Sequence, residues 1–334
     1  MKFSIIIPTY NRAEDLRATL QSLAALVSDE PWELLVVDNN STDDTRPVVL
    51  DAAKNFPVAL HYLFEKEQGR CAALNCGIKA ARGEIILTTD DDVRVEKDWL
   101  QQAAGALDEL KCDFVGGKVL PIWGGKRPQW LPDHPGRPWS VIALLDYGNA
   151  PREFDQSHVP LGVNLAFRRE CFARAGLWDN RMGRKAGTLL GQEVREWGLR
   201  ARAAGLQGFY APGMVIHHII AAERLTRRYF RRWFYWNGIS RARLYEQGRF
   251  NMESPEDRSL DFSKVPHIAG VPRYMFRSYC KRLKKMLMAY LQRDVEMSFE
   301  QQLELCFFAG VIRQRWKDRR GERLPTKPNV AEIR

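Results

Sequence analysis

At residues 84–92 the chain reads Glu-Ile-Ile-Leu-Thr-Thr-Asp-Asp-Asp, a short apolar run that ends in three consecutive carboxylates. The apolar part is typical of a buried strand. Three adjacent carboxylates repel one another unless a cation lies between them. Hard cations such as Mg²⁺ or Mn²⁺ choose oxygen ligands and leave positions open for phosphates. The stretch therefore predicts a cation-binding strand end, with a solvated acidic turn as the alternative.

Strands and helices are predicted to alternate around this stretch. Apolar runs predict strands over residues 3–8, 32–37, 60–64, 84–89 and 114–119, and helical spacing predicts helices over residues 13–26, 43–55, 71–81 and 99–110. This alternation is typical of an α/β fold, a Rossmann-like, mostly parallel sheet flanked by helices. Ligands bind such sheets beyond the carboxyl ends of the strands, so we expect Asp38 and residues 90–92 to share one crevice.

The second half of the chain is less regular. Residues 121–160 hold seven prolines and three tryptophans and predict an ordered loop region over the crevice. A helix over residues 193–204 and a strand over residues 208–210 are predicted next. Beyond residue 222 we predict basic helices, with a linker over residues 255–272.

The positive charge is concentrated in one segment. The net charge of the chain is +10, and residues 222–293 hold 17 Lys and Arg against six Asp and Glu. Such a segment requires an anionic partner. The Arg and aromatic residues at 227–236 suit nucleic acid, lipid headgroups, or a helix packed on the rest of the protein. Because residues 281–288 mix Lys and Arg with Leu and Met, we expect an anionic membrane surface and no nucleic acid.

The compartment is predicted from cysteines and apolar runs. Six scattered cysteines form no CxxC pair, which favours reduced thiols in the cytoplasm. The first residues do not resemble a signal peptide, and no run approaches the ~18 apolar residues of a membrane span. We therefore expect a cytoplasmic protein, peripheral on the inner face of the cell membrane. The sequence gives no indication of oligomeric state.

Three segments together resemble glycosyltransferase family 2. They are Ser-Ile-Ile-Ile-Pro-Thr-Tyr-Asn-Arg at residues 4–12, Val-Val-Asp-Asn-Asn-Ser-Thr-Asp at residues 36–43 and Thr-Asp-Asp-Asp at residues 89–92. The resemblance extends over residues 1–245. It implies a GT-A fold, a nucleotide-sugar donor such as a UDP-sugar, a divalent metal (Mn²⁺ or Mg²⁺) and inversion at the transferred carbon.

The resemblance also implies which residues form the site. It assigns the nucleotide to Pro8, Thr9, Tyr10, Arg12, Asp38, Arg70, Asp90 and Asp91. It assigns the metal to Asp90, Asp92 and His217, where a neutral imidazole can complete the ligand set and a structural histidine is the alternative. Arg70 directly precedes the predicted helix 71–81, so a surface role at a helix start is its alternative.

The catalytic base is the point where the sequence departs from the family. Family members commonly carry Gly-Glu-Asp with the Asp as base, whereas this chain has Gly191, Gln192 and Glu193. We assign the base to Glu193, with Glu196 as the fallback. Aligning from the end of the helix would instead place Val194 at the base position. An acid favoured by the helix dipole is the structural alternative for Glu193.

These observations predict a glycosyltransferase. The expected reaction moves a sugar from a nucleotide-diphosphate sugar to a hydroxyl of a glycan or lipid-linked acceptor, in cell-surface polysaccharide synthesis. We divide the chain into a GT-A catalytic domain at residues 1–221, with a nucleotide-binding half (1–120) and an acceptor half (121–221), and a basic, aromatic-rich helical extension at residues 222–334. A sugar nucleotidyltransferase and a non-catalytic nucleotide-sugar-binding protein on the same fold are the alternatives.

Overall fold

A computed structural model describes residues 1–155, 157–246 and 265–320. Within these residues nine strands form one sheet. They are β1 (Phe3–Thr9), β2 (Trp32–Asp38), β3 (Ala59–Phe64), β4 (Ile85–Thr89), β5 (Val93–Val95), β6 (Phe114–Trp123), β7 (Arg152–Glu153), β8 (Asn164–Arg168) and β9 (Gly208–Ile220).

The sheet has the order β3-β2-β1-β4-β8-β6-β9-β5, and β7 pairs with β9. The four strands from β3 to β4 are parallel, and so are β6 and β9. The strand β8 runs antiparallel to both of its neighbours, as β5 and β7 do to β9. The prediction of a mostly parallel sheet is confirmed. Three strands were not predicted, β5, β7 and β8, and the first two are only two or three residues long and carry no readable period.

Helices cover the sheet, and those predicted before residue 205 differ at their ends by at most two residues. The α-helices are α1 (Ala13–Ala24), α2 (Thr45–Ala53), α3 (Arg70–Ala80), α4 (Trp99–Glu109), α5 (Arg137–Val141), α6 (Glu170–Ala175), α7 (Glu193–Ala203), α8 (Arg227–Glu246), α9 (Arg273–Leu291) and α10 (Val295–Arg319). The predicted loop region 121–160 contains the end of β6 together with α5 and β7. No helix among the described residues has both the length and the apolarity needed to cross a membrane.

The strand β9 is longer than predicted, because Pro212 and Gly213 interrupt its pattern without ending it. It continues to Ile220, with a register shift against β6 between Gly117 and Lys118. Gly117 is required there, since a Cβ at this position would collide with the carbonyl oxygen of Met214. The two histidines at 217 and 218 therefore lie inside a strand, and their side chains point to opposite faces of the sheet.

Aromatic packing fixes the position of α7. Trp197 lies edge-on to Phe114 and Phe167, with ring centroids 5.3 and 5.0 Å apart. Its indole nitrogen donates a hydrogen bond of 2.9 Å to the carbonyl oxygen of Gly176. Because Trp197 is only four residues beyond Glu193, this contact also sets where the first turn of α7 lies.

Residues of the predicted extension pack onto the part of the chain before residue 222. Phe230 and Phe234 of α8 are buried, and Trp130 lies edge-on to Phe230 and Phe299 at 4.9 and 5.2 Å. The aromatic residues of segment 227–236 are therefore engaged with the protein itself. Part of the predicted linker 255–272 is a hairpin of β10 (His267–Ile268) and β11 (Val271–Pro272). Residues 255–264 of that linker lie outside the described residues.

The helices α8 and α10 touch at two glycines. A Cβ at Gly238 would collide with the carbonyl oxygen of Phe307, and a Cβ at Gly310 with that of Tyr235. The two backbones therefore approach each other more closely than any side chain would allow. This crossing holds the extension together.

We expect Gly310→Ala to lower the free energy of unfolding by about 1–3 kcal/mol, because the methyl group must push α8 and α10 apart. Gly105→Ala is the matched control, since no atom lies within 4 Å of a Cβ at that helical position. It should stabilise the protein by about 0.5–1 kcal/mol through the better helix propensity of Ala. Urea unfolding followed by circular dichroism measures both. Equal stabilisation by the two substitutions would contradict the crossing.

Candidate active site

A cleft of about 1050 Å³ opens at the carboxyl ends of β1 and β4. The chain turns away from the sheet at these ends, so polar side chains from separate segments converge there. The structure brings together seven of the eight residues expected to bind nucleotide, and also Asp92. These predicted residues, which all line the cleft, are Pro8, Thr9, Tyr10, Arg12, Arg70, Asp90, Asp91 and Asp92.

Two of the carboxylates are buried together. Thr9 Oγ1 donates to Asp91 Oδ2 at 2.8 Å, and Arg12 Nη1 donates to Asp91 at 2.9 Å and to Asp92 at 2.6 Å. Burial and the charge of Asp92 raise the pKa of Asp91, against the opposing effect of Arg12. Burial acts to raise the pKa of Asp92, but its contact with His218 and the charges of Arg12 and Arg224 outweigh burial and hold the pKa well below its usual range.

The histidine beside Asp92 is His218 and not His217. His218 Nε2 lies 3.2 Å from Asp92 Oδ1, while His218 Nδ1 lies 3.0 Å from the carbonyl oxygen of Ile142. His217 is on the other face of β9, with Nε2 2.8 Å from Glu96 Oε1. The structure thus places His218 beside Asp92, and not the predicted His217, since alternate residues of a strand face opposite ways.

The surroundings of Asp92 suit a cation. A carbonyl oxygen can only accept, so His218 Nδ1 carries a hydrogen, and Nε2 accepts from Arg224 Nη1 at 3.2 Å. Asp92 Oδ1, a buried carboxylate oxygen, accepts no hydrogen bond from the described part of the chain. His218 Nε2 and Asp92 Oδ1 thus lie side by side, with the guanidinium of Arg224 against the ring and against Asp92 Oδ2. Residues 1–155, 157–246 and 265–320 contain no group of three or more His, Cys, Asp or Glu side chains that could hold a metal ion.

Arg70 links two carboxylates across the cleft. Gly69, with a φ of 148°, turns the chain so that α3 begins at Arg70. Arg70 Nη2 donates to Asp90 Oδ1 at 2.8 Å and to the carbonyl oxygen of Gly162 at 3.0 Å. Arg70 Nη1 lies 3.5 Å from Glu193 Oε1. Burial lowers the pKa of this guanidinium, but the charges of Asp90 and Glu193 raise it by more.

The two candidate bases differ in location. Glu193 begins α7, lines the cleft and has a side chain that is 13% exposed. Gln192, in the left-handed conformation, is held by its side-chain hydrogen bond of 2.8 Å to Asn237 of α8. Glu196 is buried outside the cleft and forms two hydrogen bonds with Arg200, at 2.9 and 2.8 Å. Because Glu196 lies outside the cleft, the structure favours Glu193 over this fallback.

Asp38 is the one expected nucleotide residue that does not line the cleft. It is buried, and it accepts hydrogen bonds from the backbone of Ser41 at 2.9 Å and from the hydroxyl of Tyr62 at 2.8 Å. Burial and Asp38 raise the pKa of Tyr62 to about 12. The next residue, Asn39, does line the cleft and fixes the turn before α3 by accepting from the backbone of Gly69 at 2.7 Å.

Sequence reasoning missed the far wall of the cleft. This wall comes from the loop before α7 and from the extension, and it is basic and aromatic. The residues concerned are Arg184, Lys185, Trp233, Asn237, Arg241, Met275, Ser278, Tyr279, Arg282, Phe307, Phe308 and one acid, Glu304, which lies 3.5 Å from Arg282. The available signal was the mixture of Arg and aromatics at residues 227–236, which we assigned to an external partner.

The fold and the cleft define an α/β protein of the Rossmann-like class, with its ligand site beyond the strand ends. The chain belongs to glycosyl transferase family 2, whose sequence pattern matches residues 4–176. Its mixed α/β architecture matches GT-A glycosyltransferase structures. Glu193 lies beyond the matched segment, where this chain also departs from the expected Gly-Glu-Asp.

Three similar proteins illustrate the family. The glucosyl-dolichyl phosphate glucuronosyltransferase of Haloferax volcanii is 26% identical over 188 residues, 55% of this chain and 58% of the relative. The poly(ribitol-phosphate) β-N-acetylglucosaminyltransferase TarS of Staphylococcus aureus is 34% identical over 132 residues, 39% of this chain and 23% of the relative. The match thus spans less than two thirds of these relatives.

The third is a solved structure, the mannosyltransferase PcManGT of Pyrobaculum calidifontis in complex with GDP-Man and Mn²⁺. It superposes with a TM-score of 0.62 and 20% identity, covering 95% of this chain and 87% of that one. At this identity the likeness shows the shared fold.

We expect Glu196→Gln to lower the free energy of unfolding by about 3 kcal/mol, because it leaves Arg200 beside a buried neutral group. Glu193→Gln should cost less than about 1 kcal/mol, since Arg70 keeps its contacts with Asp90 and Gly162. Urea unfolding of the two variants tests this difference. A Glu196→Gln variant as stable as the wild type would mean that this ion pair does not hold α7.

Proposed function

We propose that the chain transfers a sugar from a nucleoside-diphosphate sugar to a hydroxyl group of a glycan or lipid-linked acceptor, with inversion. The observation that carries the proposal is Glu193, a carboxylate that lines the cleft and shares the guanidinium of Arg70 with Asp90. Residues 90–92 then face the donor, and Glu193 supplies a base beside them. Family membership and the names of the relatives support this reading.

Donor binding is assigned to the strand ends. Pro8, Thr9 and Tyr10 border the space for the nucleotide, and Arg12 and Arg224 place positive charge where its phosphates would lie. Asp38 would contact the nucleobase of the donor only if it gave up its hydrogen bonds with Ser41 and Tyr62. We keep a UDP-sugar as the first donor to test and add GDP-sugars, because PcManGT was solved with GDP-Man.

The divalent cation, Mn²⁺ or Mg²⁺, is assigned to Asp92 and His218. Asp90 is engaged by Arg70 and is a less direct ligand than the sequence implied. The remaining positions of the cation would be taken by the donor's phosphates, which agrees with the lack of a complete protein ligand set among the described residues. Such a cation stabilises negative charge on a departing diphosphate.

Glu193 is assigned as the general base. The acceptor hydroxyl gives its proton to the Glu193 carboxylate while its oxygen forms a bond to the anomeric carbon, and the bond from that carbon to the diphosphate oxygen breaks. Arg70 positions the carboxylate and offsets its charge. A single base facing the donor fits direct displacement and hence inversion.

The acceptor is assigned to the basic wall of the cleft. Arg184, Lys185, Arg241 and Arg282 line it, and guanidinium and ammonium groups bind phosphate well. The names of two relatives include a dolichyl phosphate and a poly(ribitol-phosphate). We therefore propose a phosphate-bearing, lipid-linked or polymeric acceptor for cell-surface polysaccharide synthesis at the inner face of the cell membrane.

Glu193→Gln keeps the shape of the side chain and removes the proton acceptor. We expect turnover to fall by about 10²-fold or more, with nucleotide affinity unchanged. Glu109→Gln, at the exposed end of α4, is the matched control and should keep full activity. A panel of UDP- and GDP-sugars with Mn²⁺ identifies the donor first. Full activity of Glu193→Gln would remove Glu193 as the base.

Calorimetric titration with UDP or GDP should show much tighter binding in Mn²⁺ than in EDTA, because the cation neutralises the diphosphate. His218→Asn should lose most of this difference, by about 10-fold or more in affinity. His217→Asn is the matched control, since its side chain lies on the opposite face of β9. Equal affinity in Mn²⁺ and EDTA would argue against the metal, and equal loss in both variants against the placement at His218.

A further inference from the structure

The end of α9, the turn after it and the start of α10, residues 284–297, leave a set of large apolar side chains exposed. We call it the elbow. Leu287 and Met288 are 52% and 48% exposed, Tyr290 and Leu291 are each 75% exposed, and Val295 is 55% exposed. Single exposed apolar residues are ordinary, but five within nine positions form a patch. A patch of this kind marks a contact with another apolar surface.

These side chains are not part of the packing of the extension. The inner face of α9 already has its partners, since Met275 and Ala289 are buried. Phe276 and Tyr279 lie against Phe308 of α10, with ring centroids 5.4 and 4.8 Å apart. The inner face of α9 thus fixes the helix on the rest of the protein, and the apolar residues of the elbow lie on its solvent-exposed side.

A basic stripe leads along α9 to the elbow. Helical spacings of three and four residues place Arg273, Arg277, Lys281, Lys284 and Lys285 on one exposed face. The helix contains no Asp or Glu, and residues 273–297 hold seven basic against two acidic residues. One acid, Asp294, caps α10 by accepting from the backbone of Met297 at 2.9 Å, where the helix dipole favours a negative charge. The surface is therefore cationic behind an apolar tip.

We propose that the elbow docks on an anionic lipid bilayer, with the apolar tip among the acyl chains and the basic stripe against the headgroup phosphates. Apolar insertion next to Lys and Arg is the composition of interfacial membrane anchors. A second copy of this surface would meet its own like charge in a symmetric contact. Nucleic acid is disfavoured because four of the five tip residues are aliphatic and offer no ring on which a base could stack.

Docking would bring the cleft to the level of the headgroups. Ser278, Tyr279 and Arg282 of the same helix line the cleft. At a rise of about 1.5 Å per residue, residues 287–291 lie about 8–14 Å further along α9 than Arg282. An acceptor whose lipid stays in the bilayer could then present its phosphate to the basic wall. This consequence rests on the proposed glycosyl transfer, whereas the docking itself does not.

The test is co-sedimentation of the full chain with phosphatidylcholine vesicles, with and without phosphatidylglycerol. Wild type should bind the anionic vesicles and should bind less as salt rises, because the Debye length shrinks to about 3 Å at 1 M. Lys281→Gln, Lys284→Gln and Lys285→Gln together should weaken binding on the order of 10²-fold, about fivefold for each charge. Leu287→Gln, Met288→Gln, Tyr290→Gln and Leu291→Gln together should abolish the part that resists high salt.

The matched control replaces two exposed apolar residues of the catalytic domain, Val27→Gln with Leu50→Gln, and should bind vesicles as wild type does. Donor hydrolysis without acceptor should be unchanged in every variant, since none of these residues lines the cleft. This readout separates the two proposals, because loss of vesicle binding with intact hydrolysis concerns the elbow alone. Vesicle binding without any transferase activity would leave the docking standing and remove the proposed function.

Three results would overturn the docking proposal. They are no binding to anionic vesicles, full binding by the variant with four Gln substitutions, and binding to single-stranded DNA in place of vesicles. Analytical ultracentrifugation adds a fourth. A dimer of wild type that the four substitutions dissolve, without vesicle binding, would assign the elbow to a second copy of the chain.

Discussion

Three carboxylates lie side by side in a largely buried cleft because three arginines from distant parts of the chain lie among them. Arg12 follows β1, Arg70 begins α3 and Arg224 follows β9. Each guanidinium contacts Asp90, Asp91 or Asp92 within 3.3 Å. Without these charges, burial would favour protonation of the carboxylates and the loss of their ability to attract a cation. The electrostatic balance of the cleft thus depends on the correct assembly of the whole sheet.

Much of this arrangement could be predicted from the sequence. The run of Ile and Leu before Asp90 identified a buried strand, and the alternation of elements placed its end at the same sheet edge as that of β2, although Asp38 itself does not line the cleft. The residue types at 8–12, 70 and 90–92 then converged as the topology required. They lie together because the carboxyl ends of parallel strands meet at one edge of the sheet.

Other features depend on which way a side chain points, and composition does not record this. His217 and His218 are chemically identical, and only the pleat of β9 decides which of them meets Asp92. Glu193 and Glu196 both lie in the first turn of α7, yet one faces the cleft and the other faces Arg200. From the sequence we expected the aromatic residues of α8 to contact an external partner. Nothing in the sequence showed that Trp130 and Phe299 would cover Phe230.

The glycine crossing of α8 and α10 bears on how the basic wall of the cleft could change in sequence. Because Gly238 and Gly310 bring the two backbones into contact, each helix fixes the position of the other along its axis. Arg241 on α8 and Phe307 on α10 reach the cleft only while that register holds. Single substitutions in the wall can therefore change its surface without moving the helices, whereas a chimera that takes one helix from a relative and keeps the other would combine two helices that do not fit each other. The exchangeable unit is the helix pair.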